Sequence, residues 1–406
     1  MVAAVSFVAL IGAAGFRSVP SVLIDPLHDE YGWPRATIGA AVSINLVLFG
    51  LISPFAAALM ERLGMRKVVA GALVLVAAGS GLTVFMTTSW QLILCWGVLV
   101  GVGTGSISMV FVATVVSRWF VKRQGLVSGV LTAAGATGQL VFLPLVAHLA
   151  ESYGWRLASL VVAGAALAVV PLVLVLLRDH PRDVGAMAYG ATEQLPEATV
   201  TGGLAARAVR ALADAARSRT FWLLAGGFAI CGISTNGLVG THFVSAAHDH
   251  GMPHTTAAGL LALVGVFDVA GTVFSGWLTD RVRPQLLLGA YYVLRGLSLL
   301  LLPHLFAPHV EPSMWVFILF YGLDWIATVP PTVALCREHF GLSGPVVFGW
   351  VFASHQVGAA VAAVGAGAIR DHFGAYQLAW YIAGALCVVA AAMSVSIRRR
   401  PVPVAV

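Results

Sequence analysis

Four charged side chains stand near the middle of long apolar runs: Arg17, Asp268, Arg295 and Asp324. A charge at the centre of a bilayer costs about 2.5–3.5 kcal/mol on insertion scales, so such a residue faces a cavity or a partner. Arg17 lies too deep in its run for easy snorkelling. Its planar, permanently charged fork suits bidentate capture of a substrate carboxylate; a structural ion pair is the alternative, although no acid lies one turn away. Asp268 sits among Leu, Val, Phe and Gly. Balanced between burial and a neighbouring Arg, such an acid can exchange a proton as substrate comes and goes, or it can be a permanently paired structural acid. Asp324, with Tyr321 and Trp325 beside it, keeps a proton-relay role open. Arg295 is expected to pair with Asp268 or Asp324 and stitch helices together.

Uncharged polar groups extend the set. His355 and Gln356 fall midway along another apolar run, where the imidazole could meet a carboxylate, titrate near physiological pH or bond a neighbouring helix. Asn45, Gln139 and Asn236 are mid-run amides, each either glue between helices or a ligand. The candidate substrate-binding set is therefore Arg17, Asn236, Tyr321, His355 and Gln356, and the candidate proton-coupling set Asp268 and Asp324. His248, Asp249, His250 and His254 imitate a metal cluster, but Gly251 and Pro253 interrupt them and no cysteine joins them, so no metal is expected. No Ser-His-Asp order, phosphate-cradling loop or dinucleotide fingerprint is present, so neither an enzyme nor a cofactor is expected.

These residues must be positioned by a membrane bundle. Hydrophobic residues make up 59% of the 406 and charged ones 10%, against about 25% charged in soluble domains. The four cysteines all lie in apolar runs with no ligand-like spacing. A spanning helix needs about 20 apolar residues. Twelve segments qualify, over 3–27, 36–60, 68–87, 90–117, 125–150, 156–178, 220–247, 254–279, 286–304, 313–336, 345–369 and 375–397. The first has neither a basic leader nor a small-residue cleavage site and reads as a retained helix. Residues 1–178 and 220–406 then form two six-helix bundles around a polar cytoplasmic linker, 179–219, with room for one amphipathic helix. With both termini cytoplasmic, eighteen of the 23 Lys and Arg residues face inwards and three, Arg35, Arg156 and Arg370, face outwards. That imbalance sets the orientation in a plasma (inner) membrane and explains the net charge of +6 without nucleic acid.

The chain also repeats itself at a spacing of 219 residues. Tyr31-Gly-Trp-Pro-Arg-Ala-Thr37 returns as His250-Gly-Met-Pro-His-Thr-Thr256, Leu59-Met-Glu-Arg62 as Leu278-Thr-Asp-Arg281, and Arg118 as Arg337. Arg17 thereby matches Asn236, and at a spacing one residue longer the polar pair His355-Gln356 matches Gly135-Ala136. Duplicated bundles of this kind move small solutes.

Ala57-Ala-Leu-Met-Glu61-Arg62-Leu-Gly64-Met-Arg66-Lys67 and its second copy Gly276-Trp-Leu-Thr-Asp280-Arg281 resemble the signature loop of the major facilitator superfamily, with Ala57 and Glu61 in place of the usual Gly and Asp. The run from Arg118-Trp-Phe120-Val-Lys122-Arg123 through Gly125, Gly129, Gly135 and Gly138 resembles the helix 4–5 signature of its monocarboxylate transporter branch. Gly15-Phe16-Arg17-Ser18 resembles that branch's segment bearing a substrate-binding Lys, here Arg. Asp268 resembles the acid of its Asp/Arg pair, with Thr272 standing where the Arg belongs. The resemblance implies twelve helices, a cavity lined by helices 1, 4, 7 and 10, and signature loops whose charged contacts break as the halves rock. The expected function is secondary active transport of a small organic anion, a monocarboxylate, with a proton as possible co-substrate. A proton-driven exporter of hydrophobic or cationic compounds remains the alternative; Asp268, Asp324 and the eleven tryptophans suit cations, whereas Arg17 repels them.

Overall fold

A computed structural model describes residues 1–15, 19–194 and 203–398. The first span is α1 (Val2–Ala14) with α2 (Val19–Tyr31), and the second is α3 (Arg35–Leu51) with α4 (Ser53–Leu63). α5 (Met65–Leu82) is the third. The fourth runs through α6 (Ser89–Leu92), a π-helical stretch Ile93–Val100, α7 (Gly101–Ser106) and α8 (Met109–Trp119). α9 (Gln124–Tyr153) and α10 (Trp155–Leu176) complete the first six. After α11 (Leu204–Ala216) comes the seventh span, α12 (Arg219–Gly232), π-helical Ile233–Val239 and α13 (Gly240–Asp249). α14 (His254–Thr279), α15 (Pro284–Leu301), the pair α16 (Pro312–Asp324) and α17 (Val329–Phe340), α18 (Gly344–Phe373) and α19 (Gln377–Val395) supply the remaining five. Among the described residues the fold is therefore all-α, its helices grouping in chain order into twelve spans, two sets of six. Among the described residues the only β pairing is one isolated bridge, Phe120 to Tyr189.

Local chemistry sets the boundaries. α15 and α16 begin on Pro284 and Pro312, whose fixed φ and missing N–H suit a first helical turn. Thr88 and Gln91 form a reciprocal capping box at the start of α6. Gly64 and Gly154, with φ of +86° and +87°, permit the sharp reversals between spans two and three and between five and six.

Two compact units emerge. One contains Met1–Lys122 and Ala134–Val209; the other contains Arg123–Ala133 and the chain from Arg210. In the second unit α12 packs along α18 at backbone distance. A methyl group at Gly232 would collide with the His355 carbonyl oxygen, and one at Gly358 with that of Ala229. Without a hydrophobic drive between helices in lipid, such small residues let backbones approach and gain dispersion contacts.

Several spans are interrupted in mid-membrane. α3 and α4 meet at 52°. The fourth span carries its π stretch and then breaks at Ile107, with φ −107° and ψ 36°. The seventh carries a π stretch, and the tenth breaks between Asp324 and Val329. Pro330 and Pro331 explain the last case. Each lacks an N–H and its ring clashes with the carbonyl four residues earlier, at Ile326 and Ala327. The breaks in spans four and ten are repeat-matched, since Ile107 and Ile326 are 219 residues apart.

Substituting Ala at Gly232 or Gly358 should destabilise the protein by about 1–3 kcal/mol through overpacking. Gly365 on α18 has no neighbour within 4 Å and its alanine variant should be near neutral. Thermal unfolding of the purified protein in detergent distinguishes the three.

Candidate functional site

The break in the tenth span exposes backbone groups that lipid cannot satisfy, and polar side chains of α14 and α15 meet them. Asp268 Oδ1 accepts the Ile326 N–H at 3.0 Å and the Thr272 hydroxyl at 2.8 Å. Ser275 donates to the Ala327 carbonyl at 2.5 Å, the acceptor orphaned by Pro331. Arg295 donates through Nη2 to the carbonyls of Asp324 and Trp325 at 2.6 and 3.2 Å. Thr272, standing where the resemblance expects an Arg, thus serves Asp268 as a neutral donor.

Arg295 is 1% exposed and makes a second set of contacts. Its Nε meets Asp324 Oδ2 at 2.6 Å, and its Nη1 meets Cys231 Sγ at 2.9 Å. Cys231 lies 3.3 Å from the Thr328 hydroxyl and within side-chain hydrogen-bonding reach of His355. Asp324 Oδ1 and His355 Nδ1 are buried with no hydrogen-bond partner among the described residues. His355 is walled by Phe228 and Phe352, with ring centroids 5.1 and 6.0 Å away. Of the two buried acids, Asp324 makes the direct contact with the guanidinium, and Asp268 is held by neutral donors. Sequence reasoning left Arg295 between two acids; the structure pairs it with Asp324. It gave no role to Cys231, Ser275 or Thr328, although Pro330-Pro331 is the sequence mark of a break that needs such donors and acceptors.

The first unit has no charge at the same repeat positions. Phe49, Val76 and Gly105 stand 219 residues before Asp268, Arg295 and Asp324. Its irregular spans are served by neutral groups. Asn45 donates to the Trp96 carbonyl inside the π stretch at 2.8 Å. Ser53 reaches the carbonyls of Phe49 and Gly105 at 3.0 and 3.4 Å and the Ser108 hydroxyl at 2.8 Å.

The other candidates fall in different places. Arg17 lies outside the described residues. In sequence it falls between Ala14, the end of α1, and Val19, the start of α2. Its repeat-mate Asn236 is half-buried inside the π stretch of the seventh span, and Gln356 is half-buried on α18. Tyr321 is buried and donates its hydroxyl to the Ser234 carbonyl at 2.6 Å, so it supports the π stretch from behind. Of the histidine group at the end of α13, Asp249 forms a two-point ion pair with Arg370 at 3.0 and 2.8 Å, and His250 bonds the Ala246 carbonyl at 2.8 Å. The His254 side chain is outside the described set. Among the described residues no three His, Cys, Asp or Glu side chains could hold a metal.

At the signature loops, Asp280 accepts the backbone N–H groups of Gly125 and Leu126 at 2.7 and 2.9 Å and so caps α9. Glu61 pairs instead with Arg207 of α11, 3.0 Å from Nε. Asp179 accepts the Arg66 N–H at 2.9 Å at the start of α5.

The family model described as Major Facilitator Superfamily matches residues 5–347. The chain is 28% identical to the "Uncharacterized MFS-type transporter YcxA" of Bacillus subtilis (strain 168), over 98% of this chain and 93% of that one. It is 30% identical to monocarboxylate transporter 13 of Rattus norvegicus, over 85% of this chain and 76% of that one. Among solved structures it resembles the E. coli fucose:proton symporter FucP, with a TM-score of 0.70 and 16% identity, covering 97% of this chain and 98% of that one.

Replacing Asp280 with Ala removes the acceptor for two α9 amides and should lower stability by about 0.5–2 kcal/mol, the range for losing a helix cap. Faster hydrogen exchange at Gly125 and Leu126, with unchanged exchange in α19, is the expected signature.

Proposed function

The chain belongs to the major facilitator superfamily, and from that premise we propose that this multi-pass membrane transporter carries a small organic anion, a monocarboxylate, together with a proton. The observation that carries this reading is the irregularity of the fourth, seventh and tenth spans among the described residues, the fourth and tenth breaking at the repeat-matched pair Ile107 and Ile326. Irregular backbone is tolerated at membrane depth where it is buried in protein or lines a cavity, and transporter sites are built from such discontinuous helices. The similarity to monocarboxylate transporter 13 supports the class of cargo.

In this reading Arg17 binds the substrate carboxylate by its fork of N–H donors. Asn236 and Gln356 present amides from the second unit, while Tyr321 and His355 hold the wall behind them. Asp268 and Asp324 exchange the proton. The two six-helix halves, 1–178 and 220–406, alternate access by rocking about the site, with the linker 179–219 between them. Eighteen inward against three outward basic residues support cytoplasmic termini and a plasma (inner) membrane location. Export of lipophilic cations is the rival reading, and Arg17 disfavours it by charge; competition by lactate-like anions or by lipophilic cations separates the two.

Two variants test the assignment in proteoliposomes. Arg17→Ala should abolish uptake of a monocarboxylate while the protein retains its wild-type melting profile; wild-type uptake would remove Arg17 from the site. Asp268→Asn keeps an oxygen acceptor for Ile326 and Thr272, so the fold should survive. It should lose accumulation driven by a pH gradient and retain exchange of substrate for substrate. Unchanged accumulation counts against proton coupling at Asp268.

A further inference from the structure

Arg295 stands where three different demands meet. It neutralises one carboxylate, fills the two carbonyls at the end of α16, and holds a thiol on the seventh span. The guanidinium has five N–H donors in a rigid plane, so it cannot turn to follow one partner without altering its hold on the others. We infer that Arg295, seated by Cys231, is the positioning residue that ties the protonation of the buried acids to the geometry of the break in the tenth span. This inference rests on the reading of Asp268 and Asp324 as the proton-exchanging acids.

The break has two handles, both acidic. Asp268 holds its amide side through Ile326 N–H, and Asp324 holds its carbonyl side through Arg295. A proton added to Asp324 leaves the ion pair without its negative member and weakens the grip that keeps Arg295 under the carbonyls of 324 and 325. Cys231 and Thr328 then remain as neutral anchors, one on the seventh span and one inside the break. Arg295 of the ninth span thereby touches both the seventh and the tenth. Other groups in electrostatic reach of Asp324 are Asp268 on α14, Tyr291 and Tyr292 on α15, Tyr321 on α16 itself and Cys387 on α19. His355 on α18 joins through Cys231. Among these described groups Arg295 is the permanent cation, so the pair's charge state follows the acids.

The duplicated half supplies an internal comparison. There Val76 and Gly105 occupy the positions of Arg295 and Asp324, and a methyl at Gly105 would stand 3.1 Å from the carbonyl oxygens of Leu48 and Phe49. The break at Ile107 is maintained without charge, by close backbone packing and by the hydroxyls of Ser53 and Ser108. A break in this architecture can therefore stand with neutral partners. The charged version in the second half adds sensitivity to protons.

Hydrogen exchange of the full-length protein in detergent tests this without any substrate. After correction for intrinsic rates, amides 325–329 of the wild type should exchange about tenfold faster at acidic than at alkaline pH, as expected when hydrogen bonds to a charged group are lost. Arg295→Gln should exchange fast at both pH values, with α12 and α19 still protected. Cys231→Ala should give a partial effect and Cys231→Ser, which restores an acceptor, should reverse it. The double variant Arg295→Val, Asp324→Gly introduces the first half's residues, and should fold and exchange independently of pH at 325 and 327–329, with Ile326 still answering to Asp268. It keeps the test decisive should Arg295→Gln not fold. Wild-type pH dependence persisting in either Arg295 variant overturns the inference. Wild-type protein that shows the pH-dependent exchange, yet accumulates substrate without regard to a proton gradient, supports the latch and overturns the transport role given to the acids.

Discussion

Lipid offers no hydrogen bonds, and that constraint organises the polar interior of this protein. An unsatisfied backbone group in the hydrocarbon region costs several kcal/mol, so every interruption of a span demands a side chain to answer it. Asn45 answers the Trp96 carbonyl, Ser53 that of Gly105, Tyr321 that of Ser234 and Ser275 that of Ala327. Asp268 and Arg295 do the same at the tenth span with charged groups. Polar residues scattered through the apolar runs thus have a common first task, which is to let helices be irregular at membrane depth. In the proposed transport cycle, solute and proton chemistry uses the lone pairs and charges that this task leaves over.

The duplication shows which parts of this arrangement are architectural. Repeat-matched breaks at Ile107 and Ile326 occur in both halves, so the break belongs to the fold. Charge at the break occurs in one half, so the break itself does not require it. Removing one member of a buried ion pair typically costs about 3–5 kcal/mol, whereas apolar replacement of the whole pair can be neutral. Val76 and Gly105 are in effect such a replacement, which makes stability a poor explanation for keeping Arg295 and Asp324. The ends of α2 and α13 show a similar divergence. Glu30 and Asp249 are repeat-matched acids, but Glu30 takes its arginine, Arg156, from α10 while Asp249 takes Arg370 from α18. The acid position persisted and the partner moved.

Much of the fold was legible because a spanning helix is specified by composition over some twenty residues, and the signal in each of the twelve segments is strong. The 219-residue register was legible for the same reason, through loops that carry Gly, Pro and basic residues. Breaks were harder. Segment 313–336 read as continuous, since hydropathy averages over an interruption, although Pro330-Pro331 marks the place. The partner of Arg295 could not be chosen, because the sliding register between α14, α15 and α16 is set by side-chain packing and leaves no mark in spacing. Cys231 was passed over because a buried thiol has the composition of a small apolar residue; only its neighbours make it polar. Arg17 lies outside the described residues, and its placement rests on sequence.

The signature loops illustrate how one carbon atom alters a role. In the second copy the acid is Asp280, whose short side chain holds its carboxylate close enough to the backbone to take two successive amides of α9. In the first copy the acid is Glu61, and the extra methylene lets it reach past its own helix end to Arg207 of α11. A cap on a helix terminus works through fixed amides and is undone by a small rotation, since both N–H groups must point at the same carboxylate. An ion pair between two long side chains tolerates more displacement before it breaks. Departure from the family's usual Asp at position 61 therefore exchanges a brittle contact for a compliant one that holds the linker helix instead of a membrane span.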